Sequence, residues 1–427
     1  MFDIQLIRDN RKAVREGLLK KNFKADLDLI YEKDQSRRAI QQKCDDLKAR
    51  QNAANDDIAA LLKAKKDAKE KIIAMKAIAA QIDELEPKAK SLRHELDELL
   101  IGIPNLPHES VASGGAEKNT TVRSWGEKPK FNFKPLTHLD LVEKLDIVDF
   151  KRCTKISGSN FILFKGLGAR LERALINFML DVHTKEHGYK EISPPVLVNR
   201  DAMTGTGQLP KMEADMYRLK EEDLFLIPTA EVPVTNIHRD EILKEEDLPI
   251  YYTAYTPCFR REAGSYGKDT KGLIRVHQFD KVEMVKFTTP ENSYEELEAL
   301  VKNAEKIFQL LNIPYRVLQL ASGDLSFAAA KCYDIEVYAA GLDKWLEASS
   351  CSNFENFQAR RANIRFKGKA TKGTGFVHTL NGSGVALPRT VAALLENNQT
   401  KEGEVAIPEA LRPYMDGLTK ISKQSFS

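Results

Sequence analysis

Cysteine is scarce in this sequence, and its spacing offers no way to cross-link a fold. Five cysteines occur among 427 residues, widely separated and never as C-x-x-C. Their odd number argues against a disulfide framework, their spacing argues against a cysteine zinc site, and both fit a reducing compartment. The first residues also lack the apolar core of a signal peptide. We therefore expect a cytoplasmic protein with free cysteines.

Long apolar runs and a strong net charge are missing as well. No stretch approaches the ~20 apolar residues that cross a bilayer, so we expect no membrane span. The 65 basic and 62 acidic residues leave a net charge of +3. The segment 33–76 is an exception, with 12 basic and 7 acidic residues. Such a segment suits an anionic partner, although a solvated helix surface has the same composition.

Helix breakers are nearly absent from residues 27–100, which contain no glycine and one proline, Pro87. Apolar or small side chains recur there at steps of three and four, in two series: Ile40, Cys44, Leu47, Ala54, Ile58, Leu61 and Met75, Ile78, Ile82, Leu85, Ala89, Leu92, Leu96, Leu99. This seven-residue period predicts a coiled coil. The pattern allows one unbroken helix or a hairpin. We favour a hairpin that turns near residues 63–67, where lysines crowd together.

The rest of the chain has a mixed texture. Residues 103–130 are rich in proline and glycine, which predicts a linker between an arm at 1–102 and a second domain at 131–427. In that domain we predict strands at 161–165, 224–227, 251–259, 281–287, 315–320 and 333–339, and helices at 169–187, 293–311 and 391–397. The strands cluster without regular alternation with helices. The fold class is therefore α+β, with an antiparallel sheet flanked by helices.

Two short motifs carry little weight. The sequence H-x-x-E-H at His183–His187 could hold zinc, but it lies in the last helical turn before Gly188 and no third ligand is indicated. Gly166 and Gly168 follow a predicted strand, but the third glycine of a dinucleotide-binding fingerprint is missing. We therefore expect neither a zinc site nor a Rossmann cofactor.

Residues 258–283 carry the richest chemistry. Arg260, Glu262, Arg275 and Glu283 flank a loop of glycine, serine and lysine, in a pattern that predicts a strand, a basic loop and a second strand. Guanidinium groups bind phosphate through paired hydrogen bonds, and carboxylates accept from amino, ammonium or hydroxyl groups. The composition would also fit a salt-bridged surface hairpin.

This segment resembles motif 2 (about 258–283) of the class II aminoacyl-tRNA synthetases. N-G-S-G-V-A-L-P-R-T in residues 381–397 resembles motif 3, and the helix before S-P-P in residues 169–195 resembles motif 1, which forms the dimer. Further segments are similar to the seryl-tRNA synthetase family: T-A-E at 229–231, H-Q-F-D-K-V-E at 277–283, I-P-N-L-P-H at 103–108 and I-P-E-A-L-R-P-Y at 407–414. The resemblance implies a homodimer with a tRNA-binding coiled-coil arm and a class II catalytic domain.

It also implies ATP-dependent ligation of L-serine to its tRNA through a seryl-adenylate, with Mg²⁺, and serylation of the tRNA for selenocysteine. The family uses its arm for the long variable arm of the tRNA. The residues that match the family's functional positions are the following: catalytic Arg260, Arg275 and Arg389; for L-serine Thr229, Ala230, Glu231, Arg260, Glu283, Asn381 and Ser383; for ATP Arg260, Arg261, Glu262, Val276, Phe279, Glu347, Ala348, Ser349, Ser350 and Arg389; for the metal Glu347 and Ser350; for tRNA Lys63, Lys65, Lys66 and Lys69.

Each role follows from the motif match. Arg260 is expected to bridge the α-phosphate and the serine carboxylate, Glu262 to meet the adenine amino group, and Phe279 to stack on adenine. Arg275 and Arg389 are expected to hold the β- and γ-phosphates. Thr229 and Glu231 are assigned to the α-ammonium group, and Glu283, with Asn381 and Ser383, is assigned to the hydroxyl group of serine.

Two other functions fit parts of the pattern. One is an enzyme that activates an amino acid and loads a carrier protein, which the complete arm argues against. The other is a coiled-coil RNA-binding or scaffold protein with an inert catalytic domain. The intact Arg260, Glu262, Glu283 and Arg389 argue against the second.

Overall fold

The structure is a computed structural model that describes residues 1–263, 272–368 and 373–423. The chain divides into two compact units, Met1–Pro104 and Asn105–Ser427. In the described parts of the chain, no helix is both long enough and apolar enough to span a membrane.

Three helices build the first unit: α1 (Ile4–Lys20), α2 (Leu27–Lys63) and α3 (Lys69–Ile101). Ion pairs join α2 to α3 at Lys33–Glu95, Lys48–Glu86 and Asp57–Lys71, so later positions on one helix meet earlier positions on the other. The two long helices are therefore antiparallel. The predicted hairpin is confirmed, and its turn occupies residues 64–68.

The predicted apolar series meet along this hairpin. Cys44, Leu47 and Ile58 of α2 are buried, and Ile82, Ala89 and Leu96 of α3 are buried in the same unit. The remaining members of both series are half-buried. A seven-residue repeat keeps such a stripe on one side of each helix, so the two stripes pack against each other and exclude water.

A buried ion pair attaches α1 to α2. Asp34 is fully buried and accepts hydrogen bonds from Nε and Nη2 of Arg8, at 2.7 and 2.8 Å, and from Arg37 at 3.2 Å. Burial opposes the charge of Asp34, but the hydrogen bonds from the two arginines outweigh it and lower its pKa.

The second unit is built on a large sheet. Its strands are β1 (Thr120–Trp125), β2 (Lys190–Glu191), β3 (Leu197–Asn199), β4 (Leu224–Leu226), β5 (Ile242–Lys244), β6 (Ile250–Phe259), β7 (Gln278–Thr288), β8 (Tyr315–Gln319), β9 (Lys331–Ala339), β10 (Lys344–Asn353), β11 (Arg365–Lys367), β12 (Gly375–Phe376), β13 (His378–Ala386), β14 (Val405–Ala406) and β15 (Lys420–Ile421). Eight of them form one sheet in the order β1-β8-β9-β10-β13-β7-β6-β2. Every neighbouring pair is antiparallel except β2 and β6 at one edge. The α+β class is confirmed.

The described helices of this unit are α4 (His138–Lys144), α5 (Phe150–Ser157), α6 (Leu167–Lys185), α7 (Arg200–Thr206), α8 (Glu231–Thr235), α9 (Ser293–Leu310), α10 (Phe357–Ala362) and α11 (Leu387–Asn397). Apolar residues of α6, α9 and α11 share one core with Val282 and Met284 of β7. Side chains alternate along a strand, so Phe279, Lys281 and Glu283 point to the opposite face. That face carries the candidate site.

Most predicted elements are present within a few residues of their predicted bounds, but three differences stand out. The predicted strand at 161–165 is wrong, since only Phe164 forms an isolated bridge, to Val148. The segment 103–130, expected as a linker, supplies β1 to the sheet edge, where β1 pairs with β8. Strands β10 and β13 lie in the middle of the sheet and were not predicted, because their small and polar residues hide the strand pattern.

Candidate active site

A cavity of about 560 Å³ lies against β7, β10 and β13. Residues from the segments 206–216, 228–231, 260–262, 273–276, 326–328 and 388–389 add to its wall. The volume is in the range of sites that hold a small molecule or a nucleotide.

Two β-bulges shape the wall of this cavity. Ala348 is an extra residue in β10 opposite β9, and Gly384 is an extra residue in β13 opposite β7. In a regular strand, Glu347 and Ser350 would point to opposite faces, because they are three residues apart. The extra residue shifts the alternation by one, and both Glu347 and Ser350 line the cavity.

Thr229, Lys281 and Glu283 form a buried cluster at one part of the wall. Lys281 donates to the Thr229 hydroxyl at 2.9 Å and forms an ion pair with Oε2 of Glu283. The Thr229 hydroxyl donates to the same Oε2 at 3.2 Å and accepts from the backbone N–H of Glu231 at 3.2 Å. The other carboxylate oxygen of Glu283, Oε1, is buried and has no hydrogen-bond partner among the described residues.

Glu231 is a second buried carboxyl group beside this cluster. Its Oε1 accepts from Gln358 at 2.6 Å and its Oε2 accepts from Asn381 at 2.8 Å. Burial and the neighbouring charge of Glu283 raise the pKa of Glu231 to about 7. A positive group that entered here would lie beside Glu231 and close to the charge of Glu283.

Arg260 and Phe279 lie next to each other at the end of β6 and the start of β7. The centre of the Arg260 guanidinium group is 5.2 Å from the centre of the Phe279 ring, and its Nε donates to the carbonyl of Pro228 at 3.3 Å. Both side chains line the cavity. A planar cation beside an aromatic ring suits an anionic ligand that carries a flat ring system.

Two further ion pairs join the proposed ATP-binding residues. Arg275 donates to Glu262 at 3.2 Å, and Arg389 donates to the backbone carbonyl of Glu347 at 2.7 Å, with its carboxylate at 3.4 Å. Arg389 also donates to the carbonyl of Ile274 at 3.2 Å, next to Arg275. The structure thus brings the motif 2 and motif 3 arginines to one cavity.

Asp334 lies behind this part of the wall. It is the cross-strand neighbour of Ser350, and its Oδ1 is 3.6 Å from Sγ of Cys332. Loss of hydration and the nearby charge of Glu347 raise the pKa of Asp334 to about 8. The sequence analysis did not identify Asp334.

The cavity collects most of the residues that the sequence analysis assigned to serine and ATP: Thr229, Glu231, Arg260, Glu262, Arg275, Val276, Phe279, Glu347, Ala348, Ser349, Ser350, Asn381, Ser383 and Arg389. Ala230, Arg261 and Glu283 are not among the described lining residues. Ala230 is buried in an apolar core, and Arg261 is exposed with its side chain on the carbonyl of Ala214. Glu283 is buried and contacts the lining residues Thr229 and Lys281.

Sequence reasoning missed Lys281 and Gln358. Lys281 could have been found from strand alternation, because it lies between Phe279 and Glu283 on the same face of β7. Gln358 carries no such signal. It lies 127 positions from Glu231 and reaches it only through the fold. The predicted basic loop at 264–271 lies outside the described residues.

The four lysines assigned to tRNA lie at the hairpin turn of the first unit. Lys63 ends α2, Lys65 and Lys66 lie in the turn, and Lys69 begins α3. All four are exposed. Lys65 has a φ of 56°, which a tight reversal between antiparallel helices requires at one of its residues.

Comparison with known proteins supports the class that the sheet, motifs and cavity define. Residues 213–398 match the family model of the tRNA synthetase class II core domain for Gly, His, Pro, Ser and Thr. Residues 1–107 match the model of the seryl-tRNA synthetase N-terminal domain. The fold and the site are therefore those of a class II aminoacyl-tRNA synthetase.

Full-length relatives narrow the class to one family. A serine–tRNA ligase of Trichlorobacter lovleyi is 54% identical over 424 residues, which cover 99% of this chain and 100% of the relative. The crystal structure of seryl-tRNA synthetase from Pyrococcus horikoshii complexed with ATP has a TM-score of 0.89 and 37% identity, with all of both chains covered. A cytoplasmic serine–tRNA ligase from Naegleria fowleri in complex with AMP has a TM-score of 0.87 and 30% identity, covering 100% of this chain and 99% of that one. The chain belongs to the seryl-tRNA synthetase family, and the expectation of a serine–tRNA ligase is confirmed.

Proposed function

We propose that this chain joins L-serine to ATP in the described cavity and then transfers the seryl group to tRNA. The observation that carries the proposal is that the carboxyl group of Glu231 and the arginines Arg260 and Arg389 line one cavity, with Glu283 hydrogen-bonded to the lining residue Thr229. Acidic groups suit the ammonium and hydroxyl groups of serine, and arginines suit phosphates.

In the first step, an oxygen of the serine carboxylate attacks the α-phosphorus of ATP. A bond forms between that oxygen and phosphorus, the bond to the β-phosphate oxygen breaks, and pyrophosphate leaves with the electron pair. No side chain of the enzyme needs to act as a nucleophile. Catalysis depends on positioning and on neutralising phosphate charge. Arg260 is placed to serve both, because it lies between the acidic cluster and Phe279.

In the second step, a ribose hydroxyl of the terminal tRNA adenosine attacks the carbonyl carbon of the adenylate, and AMP leaves. Arg275 forms an ion pair with Glu262, and Arg389 forms one with Glu347. These pairs hold the side chains close to their working positions, so ATP exchanges partners with groups that are already ordered.

A magnesium ion fits Glu347 and Ser350. The bulge at Ala348 turns a carboxylate and a hydroxyl to the same wall, and oxygen ligands suit this cation. Among the described residues no group of three or more His, Cys, Asp or Glu side chains could hold a metal. That suits Mg²⁺, which takes few protein ligands and is otherwise held by phosphates and water. The ion would neutralise phosphate charge.

The remaining proposals concern partners. We propose that the arm binds the long variable arm of tRNA, that the tRNA for selenocysteine is also serylated, and that the chain works as a cytoplasmic homodimer through its motif 1 region. The basic hairpin turn supports RNA binding, because long RNA helices are recognised mainly through shape and backbone charge. Sedimentation tests the dimer, and aminoacylation with the two tRNAs tests substrate range.

One experiment tests the function as a whole. Serine-dependent exchange of labelled pyrophosphate into ATP reports the first step, and transfer of labelled serine to tRNA reports the second. Both activities are expected. Exchange without tRNA charging would favour loading of another carrier, and the absence of both would favour an inert RNA-binding protein.

A further inference from the structure

Lys281 is a buried cation that the motif-based assignment leaves without a role. Its side chain is 6% exposed and lines the cavity, and the side chain of its partner Glu283 is 1% exposed. Burial removes the hydration of a lysine, and this costs free energy that nearby carboxyl groups offset. Lys281 lies beside two carboxyl groups, and its contacts with them indicate its role.

Lys281 determines how its neighbours use their hydrogen-bonding capacity. The Thr229 hydroxyl accepts from Lys281 and from the backbone of Glu231, and it donates its one proton to Glu283. A hydroxyl has one donor and two acceptor sites, so Thr229 is saturated. Oε2 of Glu283 contacts Lys281 and Thr229, whereas Oε1 has no hydrogen-bond partner among the described residues.

The same lysine balances charge. Glu231 and Glu283 are both buried and close enough for the charge of Glu283 to raise the pKa of Glu231, while Lys281 and Arg260 lower it. The other titratable groups that face this cluster are the buried thiols of Cys258 on β6 and Cys351 on β10. Without Lys281, Arg260 would be the main described cation near two acidic side chains.

We propose that Lys281 is a positioning residue for amino-acid specificity: it holds Thr229 and Oε2 of Glu283, so that Oε1 of Glu283 remains as the acceptor for the hydroxyl group of serine. The proposal rests on the proposed role of Glu283. An acceptor that stays unpaired without a donor rejects alanine, because binding alanine leaves the buried oxygen without a partner.

The test compares serine with alanine in pyrophosphate exchange. In Lys281→Met, Glu283 loses the side chain that holds it. We expect kcat/KM for serine to fall about 100-fold and kcat/KM for alanine to change little. The serine-to-alanine ratio of kcat/KM would then fall from roughly 10⁴ to roughly 10². Lys281→Gln keeps a donor for Thr229 and loses the charge, so it is expected to lie between wild type and Lys281→Met. If Lys281→Met does not fold, the serine-to-alanine ratio of kcat/KM in Lys281→Gln still tests the proposal.

Lys286 offers a matched control on the same strand. It is also buried and paired, with Glu296 at 2.7 Å, but it is not among the residues that line the cavity. Lys286→Met removes a buried lysine at a comparable structural cost. It is expected to leave the serine-to-alanine ratio of kcat/KM unchanged, which a general effect of losing a buried ion pair would not do.

A double-mutant cycle shows whether Lys281 acts through Glu283. Glu283→Gln alone is expected to collapse the ratio, and adding Lys281→Met to it is expected to change the ratio no further. A collapse in Glu283→Gln together with a wild-type ratio in Lys281→Met, or additive effects in the double variant, would overturn the proposal. If Glu283→Gln kept the ratio, the assignment of Glu283 would fail instead. Absence of exchange in the wild type would refute the proposed function itself.

Discussion

At the scale of single residues, the charged groups of the site form ion pairs with one another. Lys281 holds Glu283, Arg275 holds Glu262, and Arg389 contacts Glu347. Each pair combines a group proposed for one substrate with a counter-charge from a neighbouring element. Such pairs limit the cost of burying charge in the free protein and keep long side chains in one conformation.

Glu231 gives the site a pH dependence. Its pKa of about 7 means that below neutrality the group is largely protonated and offers no charge to the α-ammonium of serine. We expect kcat/KM for serine to rise with pH, with a midpoint near 7. The rise of kcat with pH should have its midpoint at a lower pH, because the bound ammonium group of serine favours the carboxylate form of Glu231 and lowers its pKa.

Glu231→Gln is expected to remove this rise and to lower serine activation at pH 8. Gln358 and Asn381 donate to Glu231, so the amide keeps an acceptor for one of them. A profile of kcat/KM that is flat from pH 6 to pH 8 in the wild type would contradict the role of Glu231.

Glu347 gives the site its expected metal dependence. Glu347→Gln removes a charged oxygen ligand, so the Mg²⁺ concentration that gives half-maximal pyrophosphate exchange should rise on the order of tenfold or more. Glu336→Gln is the control, because Glu336 is the cross-strand neighbour of Glu347 but pairs with Arg316 and is not among the described lining residues. Unchanged exchange in EDTA would rule out the metal role.

At the scale of elements, β-bulges and helix packing determine which side chains of a motif face the cavity and which are buried elsewhere. Because of the bulge at Ala348, Glu347 and Ser350 lie on the same wall of the cavity. At the second bulge, the carbonyl oxygen of Gly384 lies 3.0 Å from Nε2 of His183 on α6. His183 is buried, and burial lowers its pKa to about 4. It therefore carries an Nε2 proton as a neutral donor, and the H-x-x-E-H motif has a structural role.

The seam of the arm hairpin should dominate its stability. Leu96 is 4% exposed, and Leu96→Ala is expected to destabilise the hairpin by about 2–5 kcal/mol, because it removes buried methyl groups and leaves a cavity. Hydrogen exchange of the α2 and α3 amides measures this directly, as faster exchange in both helices. Leu62→Ala is the control, since Leu62 is 59% exposed and should change exchange little. Equal effects of Leu96→Ala and Leu62→Ala on exchange would contradict the claim that the buried apolar contacts between α2 and α3 stabilise the hairpin.

At the scale of the whole molecule, the two units carry different tasks. The cavity and its proposed residues lie within Asn105–Ser427, and the lysines of the hairpin turn lie within Met1–Pro104. Because the two sets of residues belong to different units, amino-acid activation should be separable from tRNA binding by substitution.

Charge reversal at the turn tests that separation. Lys65→Glu with Lys66→Glu is expected to leave serine-dependent pyrophosphate exchange unchanged and to raise the tRNA concentration needed for aminoacylation. The salt dependence of tRNA binding should lose roughly one unit of slope for each lost phosphate contact. Lys12→Glu with Lys24→Glu makes the same charge change at exposed positions near α1 and should have a smaller effect. If both double variants bound tRNA as the wild type does, the turn would have no role in RNA binding.

Features that depend on the local order of residues could be predicted from the amino-acid sequence. Seven-residue periodicity predicts the coiled coil, because a helix with one apolar stripe must bury it, and the lysine-rich break at 63–67 favours its division into α2 and α3. Strand alternation and apolar runs are enough for β6, β7, β8 and β9. The class of the site followed from contiguous motifs, since T-A-E, the motif 2 segment and the motif 3 segment each keep their residues in order along the chain.

Features that depend on contacts between distant segments could not be predicted from the sequence, because folding brings those segments together. Gln358 supports Glu231 from 127 positions away, β1 leaves the apparent linker to close a sheet edge, and Lys281 rather than Glu283 faces the cavity. The bulges at Ala348 and Gly384 likewise exist only relative to a partner strand. Local sequence fixes the backbone preferences of a segment, but hydrogen bonds, burial and pKa values arise from which segments the folded chain brings together.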